Sequence, residues 1–360
     1  MGGLMRPKRA IYKAFLSLIL ILVILVNCTG CFVPSDKGES DELTLFTDGE
    51  KELKVLQFAD MHFGVEGTVY HNSDVERTLE FIDYAINSEK PDLIVLLGDN
   101  MMTRGVDGAK FIVETFDKYQ VPYTLVFGNH DATSYLPNYR KSDVSEYLES
   151  CDSPYLLYKS GYTQDGKEDR YGNFSISIRD EETKELLGAF VLLDTGTYDY
   201  DLEKYQEINE GQIAWYEEEI ARLNALYSEQ ESGVHSVIPT ITYGHIPLPE
   251  HSVAYQKALK GEGAEMILPQ ENFGWMPRGS EDDTEGYSFF DAMVKMQSAK
   301  AYICGHYHVM NYHVKMDGII LGFCPQTSVS NNSERPIRTI SYTIDKNFDM
   351  KLNLVVEPSE

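Results

Sequence analysis

From residue 53 onward the chain alternates short apolar runs with mixed polar stretches. Residues 53–59, 92–97, 123–127, 237–243 and 301–304 are aliphatic or β-branched for most of their length and are bounded by Gly or turn residues. That is the pattern of buried strands. Between the first three, residues 74–87, with Ser73 placed to cap them, and residues 107–119 read as helices. Residues 211–226 read as a third, with Ile213, Ile220, Leu223 and Leu226 forming an apolar face and Trp215 in the core. Strand–helix–strand alternation predicts parallel strands joined by right-handed crossovers. More strands are expected around residues 318–323, 338–344 and 351–356.

Each of the five runs ends in chemistry. In order these endings are Asp60-Met61-His62, Gly98-Asp99-Asn100, Gly128-Asn129-His130-Asp131, Gly244-His245 and Gly305-His306-Tyr307-His308. Polar groups just beyond the C-terminal ends of parallel strands collect along one edge of the sheet, where open α/β sheets bind ligands. Glycine at four of the five endings permits tight turns and close backbone approach. Asp60 and His62, and likewise His306 and His308, are two residues apart. Each pair presents both side chains to one face if strand geometry persists. Carboxylate, carboxamide and imidazole donors together suit Mn, Fe, Zn or Ni better than an all-oxygen calcium site. A lone His at a strand end is ordinarily structural; five endings of one kind are a different signal.

Composition narrows the partners. The 360 residues are 42% hydrophobic and 24% charged, which excludes wholesale disorder, and they carry a net charge of −26. Such a surface repels phosphate backbones, so no nucleic-acid binding is expected. Five cysteines are too few for a disulfide scaffold. The N-terminus is the exception to the acidity: Arg6, Lys8, Arg9 and Lys13 precede an almost continuous apolar stretch at residues 14–26. This is a secretory layout. With Gly30-Cys31 and Asn27-Cys28 it resembles a bacterial lipoprotein signal, and the other reading is an uncleaved anchor. Residues 1–31 are therefore expected to be a signal peptide or membrane anchor and residues 32–52 a flexible acidic linker. Both readings put residues 32–360 outside the cytoplasm, on the outer face of a bacterial cell membrane and attached to it through the anchor or lipid.

The five endings, taken in order, resemble the signature of calcineurin-like metallophosphoesterases. The stretch 244–250 (Gly-His-Ile-Pro-Leu-Pro-Glu) resembles the branch related to purple acid phosphatases. The resemblance implies an α/β fold, a four-layer αββα sandwich of two mixed sheets flanked by helices, with the last strands supplying the second sheet. It also implies a binuclear centre of two divalent transition-metal ions. Asp60, His62 and His308 hold one ion; Asn129, His245 and His306 hold the other; Asp99 bridges them. A hydroxide held between ions ~3.5–4 Å apart is the implied nucleophile. His130 is the implied general acid, worth typically ~10²–10⁴-fold, and Asp131 is expected to orient its ring. True purple acid phosphatases carry a tyrosine ligand three residues after the bridging Asp and lack a His in the first motif. Here those positions are Met102 and His62, so no tyrosinate-to-iron colour is expected.

The reading is of an extracytoplasmic phosphomonoesterase acting on a phosphorylated small molecule or protein. A phosphodiesterase or nucleotide pyrophosphatase is the alternative, and behind it a non-catalytic surface binding protein of the same fold. His71, His235, His251 and His313 fall outside the five endings and read as surface or neighbouring residues, with His251 the one nearest to substrate. Asn100 is either a phosphate donor or a turn residue. Asp194 and Cys304 read as structural, Tyr135, Tyr139 and Tyr287 as loop aromatics, and residues 261–286 as an inserted acidic loop at the mouth of the site.

Overall fold

A computed structural model of the chain describes residues 42–64, 74–102, 104–131, 138–164, 169–199, 201, 203–230, 237–270, 286–330 and 333–358. The expected signal or anchor, with Cys28 and Cys31, lies outside the described residues, as do His71, Ser73, Tyr135 and His235.

Two mixed sheets carry the fold. The smaller has five strands, in the order β16 (Met350–Val356), β15 (Arg338–Ile344), β2 (Leu53–Phe58), β3 (Leu93–Leu97) and β4 (Tyr123–Val126). Strands β2, β3 and β4 are parallel, and β15 runs antiparallel to β2, with Ser341 opposite Leu56. The larger sheet is built on β1 (Leu43–Thr47), β6 (Arg170–Asp180), β7 (Leu186–Leu192), β10 (Thr240–Tyr243), β12 (Ala299–Cys304), β14 (Ile319–Phe323), β13 (His313–Met316) and β11 (Ala264–Leu268), and β5 (Tyr162–Gln164) pairs with β6. A separate two-stranded ribbon joins β8 (Tyr198–Asp199) and β9 (Lys204–Tyr205).

The helices follow from periodicity and caps. In α1 (Val75–Glu89), Phe81, Ile82, Ala85 and Ile86 are buried, and the Asp74 carboxylate accepts from the Arg77 N–H. Asp74 is therefore the cap. In α2 (Gly105–Asp117), Ile112 and Phe116, four apart, are fully buried. Each such burial contributes about 1.5–3 kcal/mol. Helix α3 (Lys141–Ser150) follows, and then α4 (Glu210–Ser228), opened by an Asn209–Gln212 capping box. Helices α5 (Glu250–Lys260) and α6 (Phe289–Met296) complete the set.

Strand alternation divides the interior into two cores. Phe190 and Leu192 of β7, Ile241 and Tyr243 of β10, and Ala301 and Ile303 of β12 join the residues of the smaller sheet and of α1 and α2. Ala189, Val191, Tyr302 and Cys304 face the other way, onto α4, α5 and α6. The result is the expected αββα layering. The Tyr243 and Tyr342 hydroxyls meet between the sheets, and the Thr339 hydroxyl donates to the Gln57 carbonyl within the smaller one.

Three expectations are corrected. The 32–52 linker contains a strand: Leu43–Thr47 pairs in parallel with β6, Leu45 is buried, and the Glu42 carboxylate accepts from Ser177 and Arg179. The acidic composition had concealed the short Leu-Thr-Leu-Phe-Thr alternation. The late strands do not make one sheet, because β14 joins β12 whereas β15 and β16 extend the sheet of β2. The inserted acidic stretch opens with a strand, β11, paired to β13.

His251 and His313 are core residues. His251 packs against Tyr302 and Phe323, and His313 lies against Gly322. Burial pushes the His251 imidazole down to about 3 and the His313 imidazole down to about 4. An unfolded chain takes up these protons near pH 6.5 and the folded chain only well below it. Their stabilising effect is thus complete above pH 6.5 and is lost as pH falls toward 4 and 3. For His313 the loss at pH 4 is on the order of 3 kcal/mol. His313→Gln is expected to flatten the dependence of melting temperature on pH between 6.5 and 4, measured calorimetrically with chelator present.

Candidate metal centre

Five strand ends from both sheets meet at the site. Strands β2, β3 and β4 of the smaller sheet deliver Asp60 and His62, Asp99, and Asn129 with His130. Strands β10 and β12 of the larger sheet deliver His245, and His306 with His308. Hydrogen bonding between β2 and β3 continues past both strands: the Asp60, His62 and Phe63 N–H groups donate to the carbonyls of Gly98 (3.0 Å), Asp99 (2.9 Å) and Asn100 (3.1 Å). Asp60, His62, Asp99 and His306 all lie in the left-handed region, at φ 53°, 50°, 48° and 69°. Convergence therefore depends on left-handed turns and not on the strand pleat expected from the two-residue spacing. Non-glycine residues held there cost of order 1 kcal/mol or more each, and such positions concentrate at functional sites.

Two glycines make the approach possible. Gly98 has φ +84°, and a Cβ there would stand 2.6 Å from the His245 ring; a Cβ on Gly128 would stand 2.1 Å from the Asp99 backbone nitrogen.

The side-chain atoms converge on two carboxylates. Asp60 Oδ1 faces Nε2 of His308 at 3.4 Å, of His62 at 3.8 Å and of His245 at 4.0 Å. Asp99 Oδ2 faces Nε2 of His245 at 3.3 Å, of His62 at 3.9 Å and of His130 at 4.0 Å. The Nε2 atoms of His62 and His308 are 3.1 Å apart, and Asn129 Oδ1 is 3.2 Å from His245 Nε2. Among the described residues two ion-sized groupings result: Asp60, His62 and His308, and Asp60, Asp99 and His245. His306 stands outside both. Its ring is edge-on to His245 with centroids 5.2 Å apart, and its N–H donates to Asp60 Oδ2 at 2.9 Å.

These residues fit a metal pair. Donor atoms that share one ion at ~2.1 Å stand about 3.0–3.4 Å apart at tetrahedral or right-angle geometry, which is the spacing of the shortest contacts here. Asp60 Oδ1 is buried and takes no hydrogen bond, although three imidazoles surround it. Burial pushes His62 and His306 down to about 4, leaving both as the neutral rings that ligate metals. Burial opposes the Asp60 and Asp99 charges. The neighbouring His308 and His245 rings nevertheless hold Asp60 below the ordinary range, and His245 does the same for Asp99. The two carboxylates in turn outweigh burial at His245 and raise it to about 10. A proton there supplies the positive charge the carboxylates require.

Second contacts fix the donors. His245 Nδ1 donates to the Leu97 carbonyl at 2.8 Å, which aims Nε2 at the site. Thr195 Oγ1 accepts from the His245 and Ile246 N–H groups, and Ser328 Oγ donates to the Asp60 carbonyl. Thr195 and Ser328 carried no signal in the sequence, since each lies far along the chain from the group it holds. Met102 sits with its sulfur 3.0 Å from His62 Nδ1.

Asp131 is a correction. It does not touch the His130 ring; its carboxylate accepts from the N–H groups of Gly128 (2.7 Å) and Met101 (2.8 Å) and from Asn100 Nδ2 (3.2 Å). It ties the loop after β4 to the loop after β3 and positions His130 through the backbone. Asn100 is its partner in that tie and also donates to the Val126 carbonyl, which makes it a turn residue. The His130 N–H donates to Asp99 Oδ1 at 2.7 Å, and its side chain is 42% exposed. Asp194 forms a buried ion pair with Lys141 at 2.7 Å. Burial raises the Cys304 thiol well above its ordinary range, so Cys304 packs and does not react.

A family model described as calcineurin-like phosphoesterase matches residues 53–310, and the chain belongs to that family. A relative named "Probable inactive purple acid phosphatase 29", from Arabidopsis thaliana, is 28% identical over 291 residues, covering 75% of this chain and 70% of the relative. "Phosphatase DCR2" of Saccharomyces cerevisiae is 25% identical over 286 residues, 74% of this chain and 46% of the relative. Among solved structures, a dimetal phosphatase from Danio rerio aligns over 85% of this chain and 99% of its own, with 12% identity and a TM-score of 0.48.

Metal loading tests the site. Protein equilibrated with Mn or Zn is expected to carry two ions per chain by elemental analysis, and Asp99→Ala to lose at least one of them. His130→Ala is expected to keep both. An ion at 100 times its dissociation constant should stabilise the fold by about 2.7 kcal/mol, read as a rise in melting temperature.

Proposed function

We propose that the chain hydrolyses phosphate monoesters. The observation that carries this reading is the approach of His62, His245, His308 and the partly exposed His130 to within 4.0 Å of the Asp60 and Asp99 carboxylates. Asp60, His62 and His308 would hold one divalent transition-metal ion. Asn129, His245 and His306 would hold the second, with Asp99 between them. Bound there, such ions neutralise phosphoryl oxygens and lower the pKa of water toward neutrality.

The chain's own residues do the rest. His245 and Asp60 are locked by the Leu97 carbonyl and by Ser328, so the donors need no reorganisation as the phosphoryl group arrives. Water adds at phosphorus and the ester P–O bond breaks. His130 Nε2, held on the site side 4.0 Å from Asp99 Oδ2, gives its proton to the departing oxygen. The products are an alcohol and inorganic phosphate. No side chain is phosphorylated on the way.

A specific observation favours the phosphodiesterase or pyrophosphatase reading as second. A cavity of about 340 Å³ adjoins His308, and among its described lining residues are Arg335 and Arg338 and no carboxylate. A second anionic group on the substrate would be welcome there. We also place the protein outside the cytoplasm, held at the membrane, on the basic and apolar layout of residues 1–31; protease accessibility in intact cells tests that location.

The leaving group tests the role of His130. His130→Ala is expected to lower kcat by ~10²–10⁴-fold on an alkyl phosphate, whose alkoxide needs a proton. The loss should be much smaller on 4-nitrophenyl phosphate, whose phenolate departs without one. Equal losses would remove His130 as the acid. A fully loaded protein inert toward monoesters and diesters alike would be a binding protein of this fold.

A further inference from the structure

A cavity of about 410 Å³ opens beside the metal centre, and the mechanism above does not use it. Its wall is continuous with the ligands: Ile246 follows His245, Tyr307 follows His306, and the Tyr205 ring stands edge-on to the His306 ring at 4.4 Å between centroids. About half of the remaining lining is apolar, including Ile208, Leu248 and Phe289. Its size is that of a pocket for one small organic group.

Of the two carboxylates in the wall, Glu250 is the buried one. Glu250, the first residue of α5, is 94% buried, as its relative exposure is 6%. Oε1 accepts from Ser288 Oγ at 2.8 Å, whereas Oε2 is buried without a hydrogen-bond partner. Burial raises its carboxyl above the ordinary range, while its place in the first turn of a helix favours the charged form. A buried carboxylate oxygen left unpaired is costly, and a cationic N–H donor compensates it best. At the rim, Glu207 pairs with Lys204 at 3.1 Å. With Glu207 and Glu250 in its wall, and a chain of net charge −26, this cavity disfavours a second phosphate. Glu250 lies five residues after His245, so at most about 18 Å of extended chain separates them.

We propose that this cavity receives the alcohol portion of the substrate, and that Glu250 selects alcohols carrying an amino group. The inference deepens the phosphomonoesterase reading and rests on it. The substrate class is then an amino-alcohol or aminated aryl phosphate, with its phosphoryl group at the metal centre, its apolar body against Ile208 and Leu248, and its ammonium on Oε2.

The test uses 4-(aminomethyl)phenol and 4-methylphenol, which differ by one amine, and their phosphates. Calorimetric titration of the purified full chain is expected to show the amine binding at least tenfold more tightly. Glu250→Gln, which keeps an acceptor for Ser288, should bring the two affinities within about twofold. Ile208→Trp, which adds bulk at a residue lining the cavity, should abolish binding of both. In wild type the same tenfold preference should appear in kcat/KM for the two phosphates. Equal binding by wild type, or a preference that survives Glu250→Gln, overturns the assignment. Selective binding of the amine by a protein that cleaves neither phosphate upholds the pocket and overturns the reaction, so the two failures are distinct.

Discussion

Asp60 and Asp99 stand at the ends of adjacent strands with their carboxylates almost wholly out of water. Two like charges so close and so dry cannot both persist without positive charge between them. The opposite sheet sets imidazoles against them: His245, raised to about 10, comes from the end of β10 and His308 from the loop after β12. The closest contacts are 3.3 and 3.4 Å, and one residue of strand displacement is about 3.3 Å. The packing of one sheet on the other is thereby tied to electrostatics as well as to apolar fit. The inter-sheet meeting of Tyr243 with Tyr342 and the Leu97 carbonyl under His245 hold the same alignment from below.

Much of this was legible in the sequence, for physical reasons. Of the strands that carry the donors, β3, β4 and β10 are fully buried and β2 and β12 nearly so, so they read as short, largely apolar runs, and each stops where a polar residue must begin. What could not be read was the manner of convergence. The Asp60–His62 spacing implied a shared pleat face, but the backbone leaves the β region at Asp60 itself, and a side-chain pattern contains no φ angle. Asp131 invites the same error. A carboxylate next to a His suggests a side-chain pair, whereas burial makes this one a receptor for backbone N–H groups. Leu43–Thr47 was missed because a five-residue edge strand within an acidic stretch buries too little to stand out.

The site divides its work between two kinds of structure. Strand ends, fixed by ladder hydrogen bonds, hold the groups that would do chemistry. The walls of the 410 Å³ cavity come mainly from connecting segments: residues 204–208, 246–250 and the start of α6. Substitutions in those segments leave the ladders intact, so the walls can change with little effect on the donors. Some relatives in this family bear names that mark them as inactive; in this chain Asp60, His62, Asp99, His130, His245 and His308 stand together.

The pairing of β15 with β2 has a consequence for assembly. Strand β2 ends two residues before the first carboxylate, and among the described residues its edge away from β3 is covered by β15, through residues 341–344 and Thr339, synthesised almost three hundred positions later. Contacts so distant in sequence form late and slowly. Until those residues leave the ribosome, the strand leading to Asp60 has an unpaired border that invites association with other chains. Assembly of the candidate metal centre accordingly waits on residues 341–344, and a chain cut before them would leave the strand to Asp60 without that partner.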